Sequence, residues 1–268
     1  MSGHYSSFIS ATLQGAAKIA IARFGRVGST TKVGDANQVL TQADLEIGAF
    51  IIAQIQAHFP SHNIIDEEAG VLDKNSALTW VVDPIDGTSN FAAALPTYGI
   101  MMGLLDGASA IAGGIVLPAF DELYSAEQGQ GATCNGRSIQ VSTATSLVST
   151  LVAYGIDGHQ EAPEKTAAEV RLLGKIIVQI RNLRTTNSAY DMAHTADGKY
   201  GAYLNQTTKI WDNVALQPII EEAGGVVTDF WGKPMDYSLP LTKADQNFTI
   251  CAGSQQMHQQ LQKIIFSS

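Results

Sequence analysis

Cysteine, positive charge and long apolar runs are all scarce in this chain, and each shortage removes a class of explanation. Only Cys134 and Cys251 occur among 268 residues, far apart in sequence, so no disulfide framework is expected to hold the fold. The opening MSGHYSSF has neither the basic start nor the apolar run of a secretory signal, which makes a reducing cytoplasm the expected compartment. No apolar segment reaches the length needed to cross a bilayer, and even IAGGIVLPAF is short and broken by Gly and Pro. A soluble protein with no membrane partner is expected. Lys and Arg number 16 against 25 Asp and Glu, a net charge of −9. Nucleic-acid binding relies on clustered Lys and Arg to neutralise phosphates, so nucleic acid is not an expected partner. An acidic protein that handles a phosphorylated small molecule needs local positive charge, which bound metal ions supply. The six histidines, His4, His58, His62, His159, His194 and His258, follow no metal-ligand spacing and receive no role.

Repeats, low-complexity blocks and Pro-rich linkers are also missing, so chain order must come from hydrophobic periodicity. Tyr5 to Phe24 carries apolar residues at helical spacing and stops at Gly25, a first helix, followed by a Gly-rich polar stretch. Thr41-Gln42-Ala43-Asp44 starts a second helix in the manner of a capping box, and the helix ends before Pro60. Short β-like runs follow at Trp80–Val82, Tyr98–Leu105, Ala110–Leu117 and Glu122–Ala126, punctuated as a meander. After the Asn135-Gly136 turn the pattern alternates: helix Glu161–Lys175, helix Ser188–Asp197, strand Tyr200–Leu204, helix Asp212–Ala223. The reading is a mixed α/β protein, α+β over residues 1–145 and α/β over residues 146–268.

Chemistry concentrates in Trp80-Val81-Val82-Asp83-Pro84-Ile85-Asp86-Gly87-Thr88. A buried strand delivers Asp83 to its end, Pro84 favours a tight turn, and the turn brings the Asp83 and Asp86 carboxylates together. Two like charges so close need protons or cations to neutralise them, and oxygen ligands of this kind suit Mg²⁺ or Mn²⁺. Gly87 lets a ligand approach the main chain, and Thr88 starts a segment whose free N–H groups face an anion. An ordinary Asp-Pro turn would explain the first two residues alone, but not the whole run.

Over nearly its whole length this sequence resembles the inositol monophosphatase family, whose central signature is the Asp83-Pro84-Ile85-Asp86-Gly87-Thr88 run after a W-x-x strand. Ile210-Trp211-Asp212, followed by Glu222-Ala223-Gly224-Gly225, matches the second signature. Asp66-Glu67-Glu68 matches the acidic pair, and Thr41-Gln42-Ala43-Asp44 is similar to the family's T-x-x-D. The resemblance implies a layered αβαβα fold, a homodimer, inhibition by lithium, and Mg²⁺-dependent hydrolysis of a small phosphorylated substrate with two or three ions. It assigns Glu67, Asp83, Ile85 (through its carbonyl), Asp86 and Asp212 to the metals. Glu67 and Thr88, the latter supported by Asp44, become the catalytic groups. It places Asp86, Gly87, Thr88, Ser188, Ala189, Asn205 and Asp212 against the substrate. The physical logic is hydrolysis between two ions roughly 3.5–4 Å apart that stabilise the entering and leaving oxygens.

The pattern departs from the family at two points. In Arg184-Thr185-Thr186-Asn187-Ser188-Ala189, Asn187 stands where the family has Gly, and Asn is among the residues that best tolerate left-handed backbone. Asn205 occupies the place of a sugar-binding Glu, so selectivity for inositol is expected to be lower. Arg184 reads either as a partner for a substrate anion or as a structural salt bridge. Tyr154, Asp157 and His159 read as a surface loop, with a pocket rim as the alternative. Pro218 should kink the helix that contains it. A-L-Q-P-I-I-E-E-A-G-G looks like the histidinol-phosphate phosphatase branch, whereas Thr88-Ser89-Asn90-Phe91 looks like the inositol branch. Histidinol phosphate, a sugar bisphosphate and a nucleotide 3′-phosphate therefore stand as alternative substrates. An inactive relative acting as a binding subunit is disfavoured because every matched ligand is present.

Overall fold

The computed structural model describes residues 4–26, 29–31 and 39–267; most of the Gly-rich stretch after Gly25 lies outside them. Helix α1 (His4–Arg23) is followed by Gly25 at φ +69, a left-handed position that suits glycine at a helix end. Strands β1 (Ser29–Thr31) and β2 (Val39–Thr41) form a small antiparallel pair leading into α2 (Gln42–His58). The capping box at Thr41 is present: Thr41 Oγ1 accepts from Ala43 N at 3.2 Å, and Thr41 N donates to Asp44 Oδ2 at 2.8 Å.

The larger sheet contains β3 (Asn63–Asp66), β4 (Gly70–Leu72), β5 (Leu78–Asp86), β6 (Gly99–Asp106), β7 (Ser109–Leu117), β8 (Glu122–Glu127), β9 (Ala132–Cys134) and β10 (Arg137–Ser138). The short helix α3 (Thr88–Ala92) lies between β5 and β6. Strand order is β10-β9-β8-β7-β6-β5-β3-β4, with the expected meander from β5 to β8. One expectation needs correction. Pro84 does not end the strand in a tight turn; β5 continues to Asp86, and its register against β6 shifts between Asp83 and Asp86. A proline cannot donate to a ladder, so within a central strand it requires such an irregularity, and the bulge turns the flanking side chains.

The second sheet contains β11 (Leu151–Gly155), β12 (Asn182–Arg184), β13 (Ala202–Thr208), β14 (Val226–Thr228) and β15 (Phe248–Gly253), in the order β12-β11-β13-β15-β14. Its helices are α4 (Pro163–Ile177), α5 (Ala189–Ala196), α6 (Ile210–Val214), α7 (Leu216–Glu222) and α8 (Gln255–Phe266). The first sheet ends at Ser138 and the second begins at Leu151, but the core between them is shared.

Alternation along the strands builds the layers. Trp80, Val82, Ile100 and Met102 face α1 and α2 through Ile9, Leu13, Ile47 and Ile51. The opposite face, with Met101, Ile115 and Tyr124, packs on Met192, Leu216 and Ile219 from α5 and α7, which in turn cover Ala153, Tyr203 and Ile250 of the second sheet. The outer face of that sheet, with Val152, Leu204 and Cys251, is covered by Leu172 and Ile176 of α4 and Leu261 and Ile264 of α8. The arrangement is a layered αβαβα sandwich.

The helix expected over 212–223 is divided into α6 and α7 at Ala215. Pro218 has no N–H to give the carbonyl of Val214, so the break falls where that bond is missing. Gly103 and Gly113 accommodate the break: an added Cβ at Gly103 would lie 2.7 Å from Ala215 N, and one at Gly113 would meet the Ala215 carbonyl. The two glycines thereby let α6 and its Asp212 sit directly on the first sheet.

Candidate metal and phosphate site

A cavity of about 680 Å³ opens where β5, α3, α6 and the 186–187 loop converge; Glu67, Asp83, Ile85, Asp86, Gly87, Thr88 and Asp212 line it. Each acid has an identifiable support. Glu67 follows β3, and its N–H donates to Val82 O at 3.2 Å, extending the β3–β5 ladder and setting Glu67 beside Asp83. Asp66 and Glu68 turn elsewhere: Asp66 is buried and its Oδ1 accepts from Glu68 N and Ala69 N at 2.9 and 2.8 Å. Asp212 sits in the first turn of α6, where its Oδ2 accepts from Lys209 N at 2.7 Å. Asp86 accepts the Ala189 N–H at the start of α5.

One carboxylate oxygen each from Asp83, Asp86 and Asp212 lies within 4.8 Å of the others. Asp83 Oδ1 and Asp86 Oδ2 are buried without a hydrogen-bond partner. Burial, reinforced by Glu67, Asp86, Asp212 and Asp44, pushes the Asp83 carboxyl well above the ordinary range; burial and the Asp212 and Glu67 charges do the same to Asp86. Asp212 is raised to about 7, first by burial. Such a cluster cannot carry its full charge without protons or cations. The donors are all hard oxygens with no thiolate or imidazole among them, a set that fits Mg²⁺ or Mn²⁺.

Thr88 Oγ1 donates to Ile85 O at 2.8 Å and lies 3.4 Å from Asp44 Oδ1. Burial raises Asp44 to about 6. Gly87 has φ +93, and an added Cβ there would lie 2.7 Å from Ser188 Cβ, so only glycine lets the turn meet α5.

The remaining expected site residues divide into lining and supporting positions. Ser188 caps α5 and Ala189 reaches the site only through its N–H to Asp86; both are buried behind the cavity wall. Asn205 is also behind it, 5 % exposed, with Nδ2 donating to Tyr203 Oη at 3.1 Å and Oδ1 accepting from Thr207 N at 2.7 Å. The lining at that end comes from Asp157, His159, Thr186, Asn187, Thr207, Lys209 and Asn247. Asp157 and His159 thus form a rim rather than a plain surface loop, and Tyr154 is buried in the core instead. Asn187 has φ +52, the left-handed conformation in which Asn substitutes for Gly, and its Nδ2 donates to Asp157 Oδ1 at 2.9 Å. Arg184 does not line the cavity; its Nη1 donates to Asn182 Oδ1 and to Leu183 O.

Thr207, Lys209 and Asn247 escaped the sequence reading. Lys209 was detectable from its place at the cap of the Asp212 helix, whereas Thr207 and Asn247 carry no local signal. A second acidic group, Glu122, His194 and Asp197, already holds a cation, because Lys199 Nζ lies 2.7 Å from Asp197 Oδ2 and 3.4 Å from Glu122 Oε1.

The sequence matches the profile of the inositol monophosphatase family over residues 4–265. It is 34% identical over 199 residues to the Nus factor SuhB of Escherichia coli K12, covering 73% of each chain. It is also 34% identical over 215 residues to a fructose-1,6-bisphosphatase/inositol-1-monophosphatase of Thermotoga maritima, covering 78% of each. The fold superposes on the suhB extragenic suppressor protein of Bartonella henselae with a TM-score of 0.86, at 25% identity over 96% of both chains. For an IMPase of Thermotoga maritima the score is 0.84, at 27% identity over 97% of this chain and 96% of that one. A whole-length profile match, joined to a shared fold and an acidic site, establishes that the chain belongs to the inositol monophosphatase family.

Proposed function

We propose that this protein is a Mg²⁺-dependent phosphomonoesterase acting on a small, polyol-like substrate. One observation carries the reading: the oxygens of Asp83, Asp86 and Asp212 gather within 4.8 Å in a cavity, with Asp83 Oδ1 and Asp86 Oδ2 buried and unpartnered. Buried polar atoms without partners are rare in native proteins and point to a missing ligand.

Glu67, Asp83, the Ile85 carbonyl, Asp86 and Asp212 would hold the ions. When bound, Mg²⁺ supplies Lewis-acid polarisation and charge neutralisation at phosphate. The chain's own residues do the rest. Thr88 Oγ1 offers a hydroxyl at the cavity wall, fixed from behind by Asp44, and with Glu67 it orients the attacking water. Gly87 lines the cavity with main-chain atoms alone, on the side where the phosphate would lie. Asn187, Asp157 and Thr207 form a hydrogen-bonded wall, with Thr207 Oγ1 donating to Asp157 Oδ2 at 3.0 Å, against which substrate hydroxyls lie.

Several relatives carry the name Nus factor, which names no hydrolytic activity. The complete set of acidic ligands favours an active enzyme. Assay of the purified protein with Mg²⁺ against inositol 1-phosphate, histidinol phosphate, a sugar bisphosphate and a nucleotide 3′-phosphate tests the reading and ranks the substrates. Homodimerisation, lithium inhibition and a cytoplasmic location belong to the same proposal, and sedimentation and inhibition measurements test the first two.

A further inference from the structure

A second cavity, of about 510 Å³, adjoins the first and shares His159, Thr207 and Asn247 with it. Phosphate chemistry at the carboxylates makes no use of it. Ala168 and Leu172 of α4 form part of its apolar lining, together with Trp231, whose side chain is 43% exposed. The loop that carries Trp231 is tied down: Asp229 Oδ1 accepts from Trp231 N at 2.9 Å and from Lys233 N at 2.7 Å, and the Phe230 ring packs edge-on against the indole with centroids 5.2 Å apart. An exposed indole held in this way is a pre-set binding face rather than a stray surface residue.

Glu169 lines the same cavity although it is only 5% exposed, and its Oε1 has no hydrogen-bond partner. The Tyr154 hydroxyl donates a hydrogen bond to the same carboxyl and accepts one from Gln206 Nε2 at 2.9 Å, so Oε1 is the oxygen left over. Burial raises the Glu169 carboxyl above its ordinary range, opposed by Tyr154 and His159. A buried carboxylate oxygen without a donor is costly, and a ligand N–H removes that cost. The face of a Trp ring attracts cations as well.

We propose that this annex receives the end of the substrate remote from the phosphate, and that this end bears a nitrogen group, an imidazolium ring or a primary ammonium, lying on Trp231 and donating to Glu169. The proposal rests on the phosphomonoesterase reading for the placement of the phosphate. A second phosphate is the competing occupant, since Lys165 lines the annex and Lys209 lines the neighbouring cavity. Lys165 is exposed, however, whereas the unpartnered atom is the buried Glu169 Oε1. An anion would leave that oxygen without a donor and add a like charge beside it.

The chain has three tryptophans, Trp80, Trp211 and Trp231, so its indole N–H signals are few enough to resolve by NMR. The full protein with Mg²⁺ is titrated with 2-(imidazol-4-yl)ethanol, with 2-phenylethanol and with 1,3-propanediol bisphosphate, and the Trp231 signal is assigned from Trp231→Phe. The imidazole alcohol should move the Trp231 signal and bind about tenfold more tightly than the phenyl alcohol. Glu169→Gln should remove that difference, with an unmoved Trp80 signal showing that the variant is folded. An unmoved Trp231 signal, equal binding of the two alcohols, or a difference that survives Glu169→Gln would overturn the proposal. A larger response to the bisphosphate would overturn it in favour of an anion site. Hydrolysis of glycerol 2-phosphate by the same preparation reports separately on the phosphatase reading.

Discussion

Asp44 joins two parts of the molecule: its Oδ2 accepts from Thr41 N and Oγ1 at 2.8 and 2.6 Å, while its Oδ1 lies 3.4 Å from Thr88 Oγ1. The residue that starts α2 therefore also positions the hydroxyl at the cavity wall. Asp44→Asn keeps the shape but replaces one accepting oxygen with a donor. Turnover should fall about tenfold to a hundredfold with little change in the Mg²⁺ concentration for half-maximal rate. Weakening the hydrogen bonds from Thr41 should cost about 1–3 kcal/mol. Steady-state kinetics and thermal melts on one preparation measure both.

Asp83→Asn should separate activity from stability. Asp83 is buried among Glu67, Asp86 and Asp212, whose charges disfavour its ionised form. Removing the charge should abolish turnover but raise the melting temperature of the metal-free protein. A melting temperature lowered by the substitution in chelator would contradict the electrostatic account.

The same cluster sets a pH dependence. A carboxyl whose pKa is higher in the folded than in the unfolded state binds more protons when folded, so stability falls as pH rises between the two values. For Asp44 that interval runs from 3.8 to about 6, and for Asp212 from 3.8 to about 7. Metal-free protein should lose stability as pH is raised from about 4 to 7. Added Mg²⁺ should stabilise it more at pH 8 than at pH 5, because the ion competes with protons for the same oxygens. Melts at both pH values, with and without Mg²⁺, check the sign.

Asn205→Glu should act on stability rather than on substrate choice. The amide is buried, bonded to Tyr203 and Thr207, and packed against Gly155, where an added Cβ would meet Asn205 Nδ2. A carboxylate there loses the donor to Tyr203 and is buried beside Asp157's hydrogen-bonded wall, at a cost of about 2 kcal/mol or more. Denaturant unfolding of the variant measures this. Unchanged stability with altered substrate preference would return Asn205 to the substrate face.

Much of this architecture was legible because local chemistry and tertiary role coincide. Thr41 and Asp44 announce a helix start and form one, and the run from Asp83 to Thr88 carries its acids into the cavity. Pro84 misled because its ordinary role is a turn, whereas here β3 pairs only as far as Val82 and pairing with β6 resumes at Asp86, carrying the strand through a bulge. Strands β11 and β15 went unread because both faces are covered, which removes the alternation that marks a half-buried strand. Helix α8 was overlooked although Met257, Leu261, Ile264 and Ile265 follow helical spacing. The wall formed by Asp157, Asn187 and Thr207 is assembled from two separate loops and the end of β13, and no sequence spacing encodes it.

The central claim, that Asp83, Asp86, Asp212 and Glu67 hold metal ions for phosphate hydrolysis, is tested most directly by phosphate release from the purified protein. Inositol 1-phosphate and glycerol 2-phosphate serve as substrates, with Mg²⁺, with chelator, and in the Asp83→Asn variant. The account predicts release that requires Mg²⁺ and vanishes in the variant. Undiminished release in chelator, or a variant as active as the parent at saturating Mg²⁺, would contradict it.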